Sequence, residues 1–157
     1  MRLALEIAGA GRGALILEEA GRWLIEAEAE AIHDPPEVRL LEAIPLDASA
    51  SVSASMVSYV LRTGELLLVD DASTDSRFAQ DAYVRAGQPH AALCVPIVAR
   101  MRLLGALYLE NNLTRAAFAS NRVQLVSLIA AQAAISLENA RLVAAMRAEI
   151  DQRVRAE

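Results

Sequence analysis

The single cysteine, Cys94, has the most reactive side chain in this sequence. An exposed, ionised thiol at this position could act as a redox or covalent site. However, Cys94 lies inside the apolar run A-A-L-C-V-P-I, where a thiol is usually a small buried hydrophobe with a raised pKa. We therefore interpret Cys94 as a packing residue. One cysteine also excludes an internal disulfide and a multi-thiolate zinc site.

A histidine and a group of aspartates are the other residues that could bind a cofactor or an ion. His90 could be an axial haem or metal ligand, but no second ligand stands at a suitable spacing, and His33 lies in a different predicted loop. Asp70, Asp71 and Asp75 do not match the spacing of an EF-hand loop and lack its closing glutamate. We interpret His90 as a surface or rim residue and the aspartates as part of a solvated turn.

The strongest β-strand pattern is the stretch 91–110, A-A-L-C-V-P-I-V-A-R-M-R-L-L-G-A-L-Y-L-E. Two apolar runs flank the charged segment 100–102, which predicts a hairpin covered on both faces in the middle of a sheet. With a three-residue turn, the opposed pairs are Cys94 with Tyr108, Pro96 with Ala106, and Ala92 with Glu110. Because side chains alternate across a sheet, these six residues share one face.

The two faces of this predicted hairpin differ in character. The second face is large and aliphatic, with Leu93, Val95, Ile97, Leu103, Gly105, Leu107 and Leu109. We expect helices to cover it permanently. The first face mixes small, polar and aromatic groups, so we expect the cavity against Cys94 and Tyr108 and not against Leu107 and Leu109. The sequence leaves open what, if anything, fills that cavity.

Weaker patterns place the remaining elements. Residues 14–18 and 22–31 are predicted as strands joined by E-A-G, with Gly21 suited to a positive φ. In the second strand, Trp23, Ile25, Ala27 and Ala29 would share one face, and Glu26, Glu28 and Glu30 the other. A strand at 38–44, a helix capped by Ser51 or Ser53, a strand at 66–70 and a helix at 76–86 follow. The first eight residues fit either a helix or a short strand.

The longest predicted element is a helix that starts at Ala119 or Ser120 and continues to the end of the chain without Gly or Pro. Over 119–150 it would extend about 48 Å, beyond a domain about 40 Å across. Its heptad positions predict a parallel homodimer through Leu128, Gln132, Ile135, Asn139, Leu142 and Met146. Asn139 would either set the register between two parallel helices or be an ordinary exposed helix residue, and both alternatives stay open.

Length and charge limit the classes of function. The 157 residues fit one domain. The net charge of −5 and the scattered arginines argue against nucleic-acid binding. The longest uncharged apolar segment, 123–137, is shorter than the roughly 18 residues that span a bilayer, and the N-terminus lacks the apolar core of a signal peptide. We therefore expect a cytoplasmic protein without a membrane segment.

Six short motifs, taken in order, resemble those of GAF sensory domains in multidomain bacterial signalling proteins such as histidine kinases. They are G-R-G-A-L-I-L at 11–17, G-E-L-L-L-V-D-D-A at 64–72, C-V-P-I at 94–97, L-L-G-A-L-Y-L-E-N-N-L at 103–113, F-A-S-N-R at 118–122 and A-A-I-S-L-E-N-A-R-L at 133–142. The resemblance implies an α+β fold whose antiparallel sheet of about six strands, an ordinary size, carries terminal helices on one face and a ligand pocket on the other.

The resemblance also implies a domain organisation. A GAF-like domain would cover 1–140, and 141–157 would extend the last helix as a coiled-coil linker to a downstream output domain. The long first helix of the family is mostly missing, so we expect the sequence to be a piece of a longer protein. The pocket floor implied by the resemblance is Ala92, Cys94, Ala106 and Tyr108, and the candidate roof is Met56, Tyr59, Phe78 and Tyr83.

Departures from the family argue against its known cofactors. Cyclic-nucleotide-binding members carry an Asn-Lys pair, whereas Asn111 is followed here by Asn112. Bilin-binding members attach the pigment to a cysteine commonly followed by histidine, whereas Val95 follows Cys94. A haem would depend on His90 alone. The ligand is therefore an unknown small molecule.

Three functional hypotheses follow. The first is a non-catalytic regulatory module that senses a small molecule and signals through its C-terminal helix to a kinase-type output domain. The second is a redox enzyme of the same fold that uses Cys94, although sulfoxide reductases of this fold work with several cysteines. The third is a ligand-free dimerisation module whose cavity is filled by its own side chains.

Overall fold

In a computed structural model of the chain, the residues described are 1–31, 37–48, 51–87, 90–113 and 117–156, without the side chains of 2–3 and 37–43. His33 and its predicted loop therefore lie outside the described residues. The elements, in chain order, are α1 (Arg2–Ala8), β1 (Arg12–Glu19), β2 (Arg22–Glu30), β3 (Glu37–Pro45), a 3₁₀ turn (Leu46–Ala48), α2 (Ala54–Thr63), β4 (Leu67–Val69), α3 (Ala82–Gly87), β5 (Ala91–Ala99), β6 (Arg102–Asn111) and α4 (Ser120–Ala156).

The strands form one sheet of six, in the order β3-β2-β1-β6-β5-β4. Each neighbouring pair is antiparallel. Strands β1 to β3 run outward from the centre of the sheet to one edge. The connection that contains α2 then leads to β4 at the other edge, and β5 and β6 fill the space between β4 and β1. The predicted α+β fold with a central antiparallel sheet is confirmed.

The predicted pairing of β5 with β6 is confirmed, with Cys94 opposite Tyr108, Pro96 opposite Ala106 and Ala92 opposite Glu110. The predicted three-residue turn is wrong. The turn has two residues, Arg100 and Met101, with φ values of 52° and 61°. Positive φ at both positions matches the natural twist of a hairpin, but neither residue is the Gly or Asn that usually announces such a turn.

A bulge between Ile97 and Val98 absorbs the one-residue difference between the predicted and the observed turn. It also changes which leucine is buried. Leu104 belongs to the helix-covered core and is fully buried, whereas Leu103, the residue predicted there, is half-buried. Strict alternation therefore fails at the bulge, as expected where one strand gains an unpaired residue.

A second irregularity corrects the predicted face of β2. The pairing of β2 shifts at Glu26 against both of its neighbours, β1 and β3. Ile25 therefore packs on one face of the sheet, whereas Ala29 packs on the other. The prediction that these two residues share a face is wrong, because a single unpaired residue inverts all later side chains in the strand.

The helices of the pocket side begin and end at recognisable signals. Ser53 caps α2 by accepting a hydrogen bond from the Met56 amide at 3.3 Å, and Gly64 closes α2 in the left-handed region at φ 70°. The helix predicted at 76–86 is shorter than expected, because residues 76–80 form turns and α3 starts at Ala82. Asp81 fixes this start, since its side chain accepts from the amides of Tyr83 and Val84.

The sheet separates two buried clusters. The helix face packs the aliphatic residues of β5 and β6 against α1 and against Val126, Ala130 and Ala134 of α4. The opposite face packs Cys94, Ala106 and Tyr108 against α2 and the segment that leads into α3. Terminal helices therefore cover one face only.

The last helix, α4, has 37 residues, so it is about 55 Å long. Its length and composition alone would also allow a membrane span. However, its residues Val126, Ala130 and Ala134 are buried against the sheet. The second half of α4 is exposed along most of its length, although Arg141 near its start still donates to the Glu18 carbonyl of β1 at 3.0 Å.

Candidate functional site

The structure brings the predicted pocket residues together on one face of the sheet. The four floor residues, Ala92, Cys94, Ala106 and Tyr108, are at most 2% exposed. Met56 from α2 and Phe78 from the segment before α3 are buried in the same cluster, and Tyr59 packs against it. The remaining predicted roof residue, Tyr83, reaches the site through its hydroxyl, as described below. Whether these residues bind a ligand stays a prediction.

The floor is covered by the protein's own side chains. The open cavities on the described surface are lined by other residues instead, and three of them lie beside the β1–β2 turn or α2. The largest of them, about 650 Å³, lies between the β1–β2 turn and α4, beside Leu137 and Arg141. A second, about 350 Å³, lies beside Trp23 and Pro45. A ligand that used the predicted floor would therefore have to displace part of the roof.

The third cavity, about 590 Å³, opens on the outer side of the roof, along α2. Its aromatic residues, Tyr59 and Phe78, meet edge to face with ring centroids 6.2 Å apart. The Arg77 guanidinium lies 5.8 Å from the Tyr59 centroid and 5.1 Å from the Phe78 centroid, a cation–π arrangement. Arg77 is also held by Asp75 at 2.9 Å, and this pairing lowers the pKa of the Asp75 carboxyl. A cation held by Asp75 therefore lies beside the two aromatic rings on the outer side of the roof.

The most concentrated polar group on this face surrounds Glu110, which is fully buried. Its Oε1 accepts hydrogen bonds from the Tyr83 hydroxyl at 2.6 Å and from Asn112 Nδ2 at 3.3 Å. Its Oε2 accepts from the Tyr108 hydroxyl at 2.7 Å. Arg12 Nη1 lies 3.6 Å from Oε1 and also donates to the Tyr83 hydroxyl at 3.1 Å. We call these five residues the Glu110 network.

The electrostatics of the Glu110 network keep both tyrosines as hydrogen-bond donors. Burial and the negative charge of Glu110 raise the pKa of Tyr83 and of Tyr108. Burial opposes the charge on Arg12, but the facing Tyr83 and Glu110 outweigh it, so the pKa of the guanidinium is raised. The hydroxyls therefore stay protonated while the guanidinium stays charged. Together these groups compensate a buried carboxylate that would otherwise be costly.

Sequence reasoning missed the role of this network. It placed Tyr108 on the floor and Tyr83 in the roof, but it assigned no role to Arg12 or Asn112 and named Glu110 only as a partner in the register. One signal was present, because Glu110 is an acidic residue at the end of an otherwise apolar strand. Its partners could not be inferred from spacing, since Tyr83 stands 27 residues before it.

The residues that the sequence offered as candidate redox or metal sites are Cys94, His90 and the aspartates of the turn after β4. Cys94 is 1% exposed, and burial raises the pKa of its thiol, which disfavours the thiolate that redox chemistry needs. His90 is half-buried at the start of β5, with Nδ1 buried and without a hydrogen-bond partner among the described residues. Asp71 accepts hydrogen bonds from the amide and hydroxyl of Ser73, as in a polar turn. No group of three potential metal ligands occurs within the described residues.

The predicted dimer residues lie on the exposed side of α4. Leu128, Ile135, Leu142 and Met146 are 67%, 53%, 42% and 63% exposed, and Gln132 and Asn139 are exposed between them. These residues alternate with the buried ones that face the sheet, so α4 carries one covered stripe and one open apolar stripe. Their pairing with a second copy stays a prediction.

Comparisons with known proteins agree with this architecture. A model of the GAF domain family matches residues 1–137. Over 96 residues, 61% of this chain, the sequence is 40% identical to hybrid signal transduction histidine kinase G of Dictyostelium discoideum. The chain spans only about 3% of the length of that relative.

Solved structures share the fold at low sequence identity. The GAF domain of PixJ from Thermosynechococcus elongatus, in its blue-light-absorbing form, matches 96% of this chain and 87% of its own length, with a TM-score of 0.65 and 17% identity. The GAF domain of a phosphoenolpyruvate-protein phosphotransferase from Coxiella burnetii matches 90% and 79%, with a TM-score of 0.65 and 16% identity.

A type II free methionine-R-sulfoxide reductase from Thermoplasma acidophilum has the same fold, with a TM-score of 0.62 and 15% identity over 85% of this chain and 83% of its own. Proteins of such different kinds show that identities this low carry the fold and not an activity. The family model covers all six strands and the first half of α4, and on that match the chain belongs to the GAF domain family.

Proposed function

We propose that this GAF domain is a non-catalytic regulatory module that passes a signal along α4 to a kinase-type output domain of the same parent chain. The observation that carries this proposal is the shape of α4. Its first half is fixed to the sheet by Val126, Ala130 and Ala134, while its second half is exposed along most of its length and carries an open apolar stripe. The relative among histidine kinases supports a role in signal transduction. A cytoplasmic location belongs to the same proposal.

The partner of the open stripe would be the same stripe of a second copy, in a parallel homodimer. Leu142, Met146 and Ile150 continue the stripe where no other described element covers them. Burying such a row against its own symmetry mate would remove it from water. Gln132 and Asn139 would weaken the seam, which suits a switch between two pairings of similar energy.

Sedimentation equilibrium tests the dimer. We expect the full chain to be dimeric and a chain that ends at Ala140 to be monomeric. Leu142→Asp should weaken the dimer strongly, because it buries a charge in the seam. Val143, on the same exposed part of α4 but outside the predicted seam, provides the matched control, so Val143→Asp should weaken it less. Monomers at every length, or equal effects of the two aspartates, would refute the predicted interface.

The sensed molecule would bind the predicted floor after part of the roof moves. The buried carboxylate of Glu110 at one end of that floor repels anions, so a ligand that reaches it should present hydrogen-bond donors, such as an amine or amide. Ala106→Phe would fill the floor and should abolish uptake. Mass spectrometry of the native protein, wild type against Ala106→Phe, would show whether a small molecule co-purifies with the first and not with the second.

A second candidate function is a ligand-free dimerisation module. The observation that favours it is the packed floor, where Cys94, Ala106 and Tyr108 leave no exposed surface. In that case the native protein would carry no small molecule, and Ala106→Phe would change stability without changing assembly. The dimer experiment above would still succeed, so the two measurements together separate the sensor from the ligand-free module.

A further inference from the structure

Two adjacent residues of β6 make contacts on opposite faces of the sheet. Glu110 belongs to the pocket face, where it accepts hydrogen bonds from Tyr83 and Tyr108. Asn111 follows it directly, and its Nδ2 donates to the Gly9 carbonyl at 3.0 Å. Alternation along a strand makes this arrangement possible, because neighbouring side chains point to opposite sides. One peptide bond thus joins a residue of the pocket to a residue that holds the helices.

On the pocket side, Glu110 accepts a 2.6 Å hydrogen bond from the hydroxyl of Tyr83 of α3, and the same hydroxyl accepts from Arg12 Nη1 of β1 at 3.1 Å. Tyr83 is the second residue of α3, which has six residues. Asp81 holds the same turn by accepting from the Tyr83 amide at 2.9 Å and from the Ser55 amide of α2 at 3.1 Å. A movement of the roof that shifts α3 must therefore act on Glu110.

On the helix side, Asn111 holds the point where α1 ends. Gly9 closes α1 in the left-handed region at φ 70°, with its amide donating to the Leu5 carbonyl. The Ala10 amide donates to the same carbonyl at 3.1 Å. Arg122 of α4 lies directly over Gly9, since a Cβ built there would stand 2.7 Å from its Nη1. Asn111 is therefore bonded to the residue at which α1 meets the start of α4.

The main chain between the two sides is firmly held. The Gly11 amide donates to the Glu110 carbonyl at 2.9 Å, and β6 pairs with β5 along its length and with β1 over residues 105–110. The Oδ1 of Asn111 also accepts from the Leu113 amide at 2.9 Å, which fixes the orientation of its side chain. Glu110 and Asn111 are therefore neighbours in a strand that is hydrogen-bonded on both sides. A displacement of Glu110 would reach Asn111 directly, because no loop lies between them.

We propose that Glu110 and Asn111 form a junction that transmits the position of α3 to the α1–α4 contact. The movement would start at Tyr83 of α3, and its effect would appear at Gly9, where α1 ends. When the roof is closed, Tyr83 holds Glu110, and Asn111 holds the end of α1. When the roof moves, the end of α1 loosens against α4. This inference rests on the proposed sensory function, for which it supplies the route from the pocket to the helices.

Amide hydrogen exchange, followed by NMR on the full chain, tests the junction. The reporters are the Gly9 and Ala10 amides that close α1, each compared with the Leu107 amide in the sheet centre, which corrects for global stability. We expect Tyr83→Phe, which removes only the hydroxyl, to speed exchange of both reporters about threefold or more, as an ordinary coupling energy would give. The matched control is Tyr59→Phe on α2, whose ring also packs at the roof but outside the Glu110 network. It should leave the reporters unchanged.

Asn111→Asp tests the second half of the junction. Aspartate can still accept from the Leu113 amide but cannot donate to the Gly9 carbonyl. We expect it to speed the two reporters, and we expect Tyr83→Phe to have no further effect in the Asn111→Asp background. Independent, additive effects of the two substitutions would overturn the proposal, and so would a Tyr83→Phe effect confined to α3.

The exchange rates of the Gly9 and Ala10 amides report on contacts within one copy of the chain, so they can be measured whether or not the protein dimerises. If the exchange experiment fails but the protein is a dimer, the proposed function would remain possible, with the signal travelling by another route. A working junction in a monomeric protein would instead remove the proposed output through α4. The two failures are therefore distinguishable.

Discussion

The two faces of the sheet are built on different principles. The helix face is a continuous aliphatic surface in which Leu93, Leu107 and Leu109 pack against small residues of α4. The pocket face holds small and aromatic residues, a thiol and the buried carboxylate of Glu110. Dispersion and water exclusion stabilise the first face without directional requirements. The second depends on hydrogen bonds, each of which is lost if one partner moves.

This difference implies that the two faces tolerate movement to different degrees. An aliphatic interface tolerates small displacements, so α1 and α4 could shift slightly against each other and still stay packed on the sheet. A face with a buried carboxylate and several donors has a few discrete arrangements, because partly satisfied polar groups are costly inside a protein. Under the proposed function, a change of state would therefore begin on the pocket face.

The largest effect should come from the helix face. Leu109 is fully buried, and Leu109→Ala should lower the free energy of unfolding by about 3 kcal/mol through lost burial and a cavity. Urea titration followed by circular dichroism measures it. Leu68, 39% exposed on edge strand β4, provides the control, and Leu68→Ala should cost well under half as much. Similar losses for the two leucines would contradict the assignment of this face as the rigid core.

A smaller effect should come from the centre of the pocket face. Glu110→Gln keeps the shape of the side chain but turns one acceptor oxygen into a donor that faces hydroxyl and amide donors. We expect the free energy of unfolding to fall by about 2 kcal/mol, as for the loss of hydrogen bonds to a buried charged group. Thermal unfolding compared with Glu65→Gln, at an exposed residue before β4, measures it. No difference between the two variants would mean that the Glu110 network contributes nothing to stability.

The smallest effect should come from the cap that orients α3. Burial works to raise the pKa of Asp81, but hydrogen bonds from Ser55 and Val84 outweigh it, so the pKa of this carboxyl is lowered. A lowered pKa in the folded state means a stabilisation that is present at neutral pH and lost as pH falls through that pKa. Asp81→Asn should therefore cost about 1 kcal/mol at pH 7.

The pH dependence supplies the check on this cap. Below pH of about 4, where aspartates become protonated, the stabilities of wild type and Asp81→Asn should converge. Urea midpoints measured from pH 7 down to 3 would show it. Asp70→Asn, at an exposed position after β4 and outside this cap, provides the control substitution. A gap between wild type and Asp81→Asn that widens in acid would contradict the assigned sign.

The helix face of the sheet could be predicted from the sequence because its apolar residues recur at regular spacing along β5 and β6. The apolar runs on either side of Arg100 predict the hairpin, and Cys94 pairs with Tyr108 as predicted because the bulge beside Ile97 offsets the shorter turn. The start of α4 at Ser120 and the caps of α2 at Ser53 and Gly64 follow from local rules for helix ends in the same way.

What could not be predicted depends on single residues or on distant pairs. The bulges at Glu26 and beside Ile97 each insert one residue and invert a face, and no composition signal marks them. The Glu110 network joins three segments, since Arg12 comes from β1 and Tyr83 from α3. Periodicity within one segment carries no information about such contacts. Whether the pocket floor is filled likewise depends on how the side chains of α2 and of the segment before α3 fit against it, which the sequence pattern does not show.

The position of β1 in the sheet has a consequence for synthesis of the chain. β1, at Arg12–Glu19, pairs with β6, at Arg102–Asn111, so its inner edge has no partner until about ninety more residues have been made. At the usual 5 to 20 residues per second, that delay is roughly 5 to 20 s. During this time the β1–β2 hairpin presents an open strand edge, which is prone to pair with other chains. The nascent chain is therefore exposed to aggregation mainly before β6 leaves the ribosome, and chaperone binding in that interval would protect it.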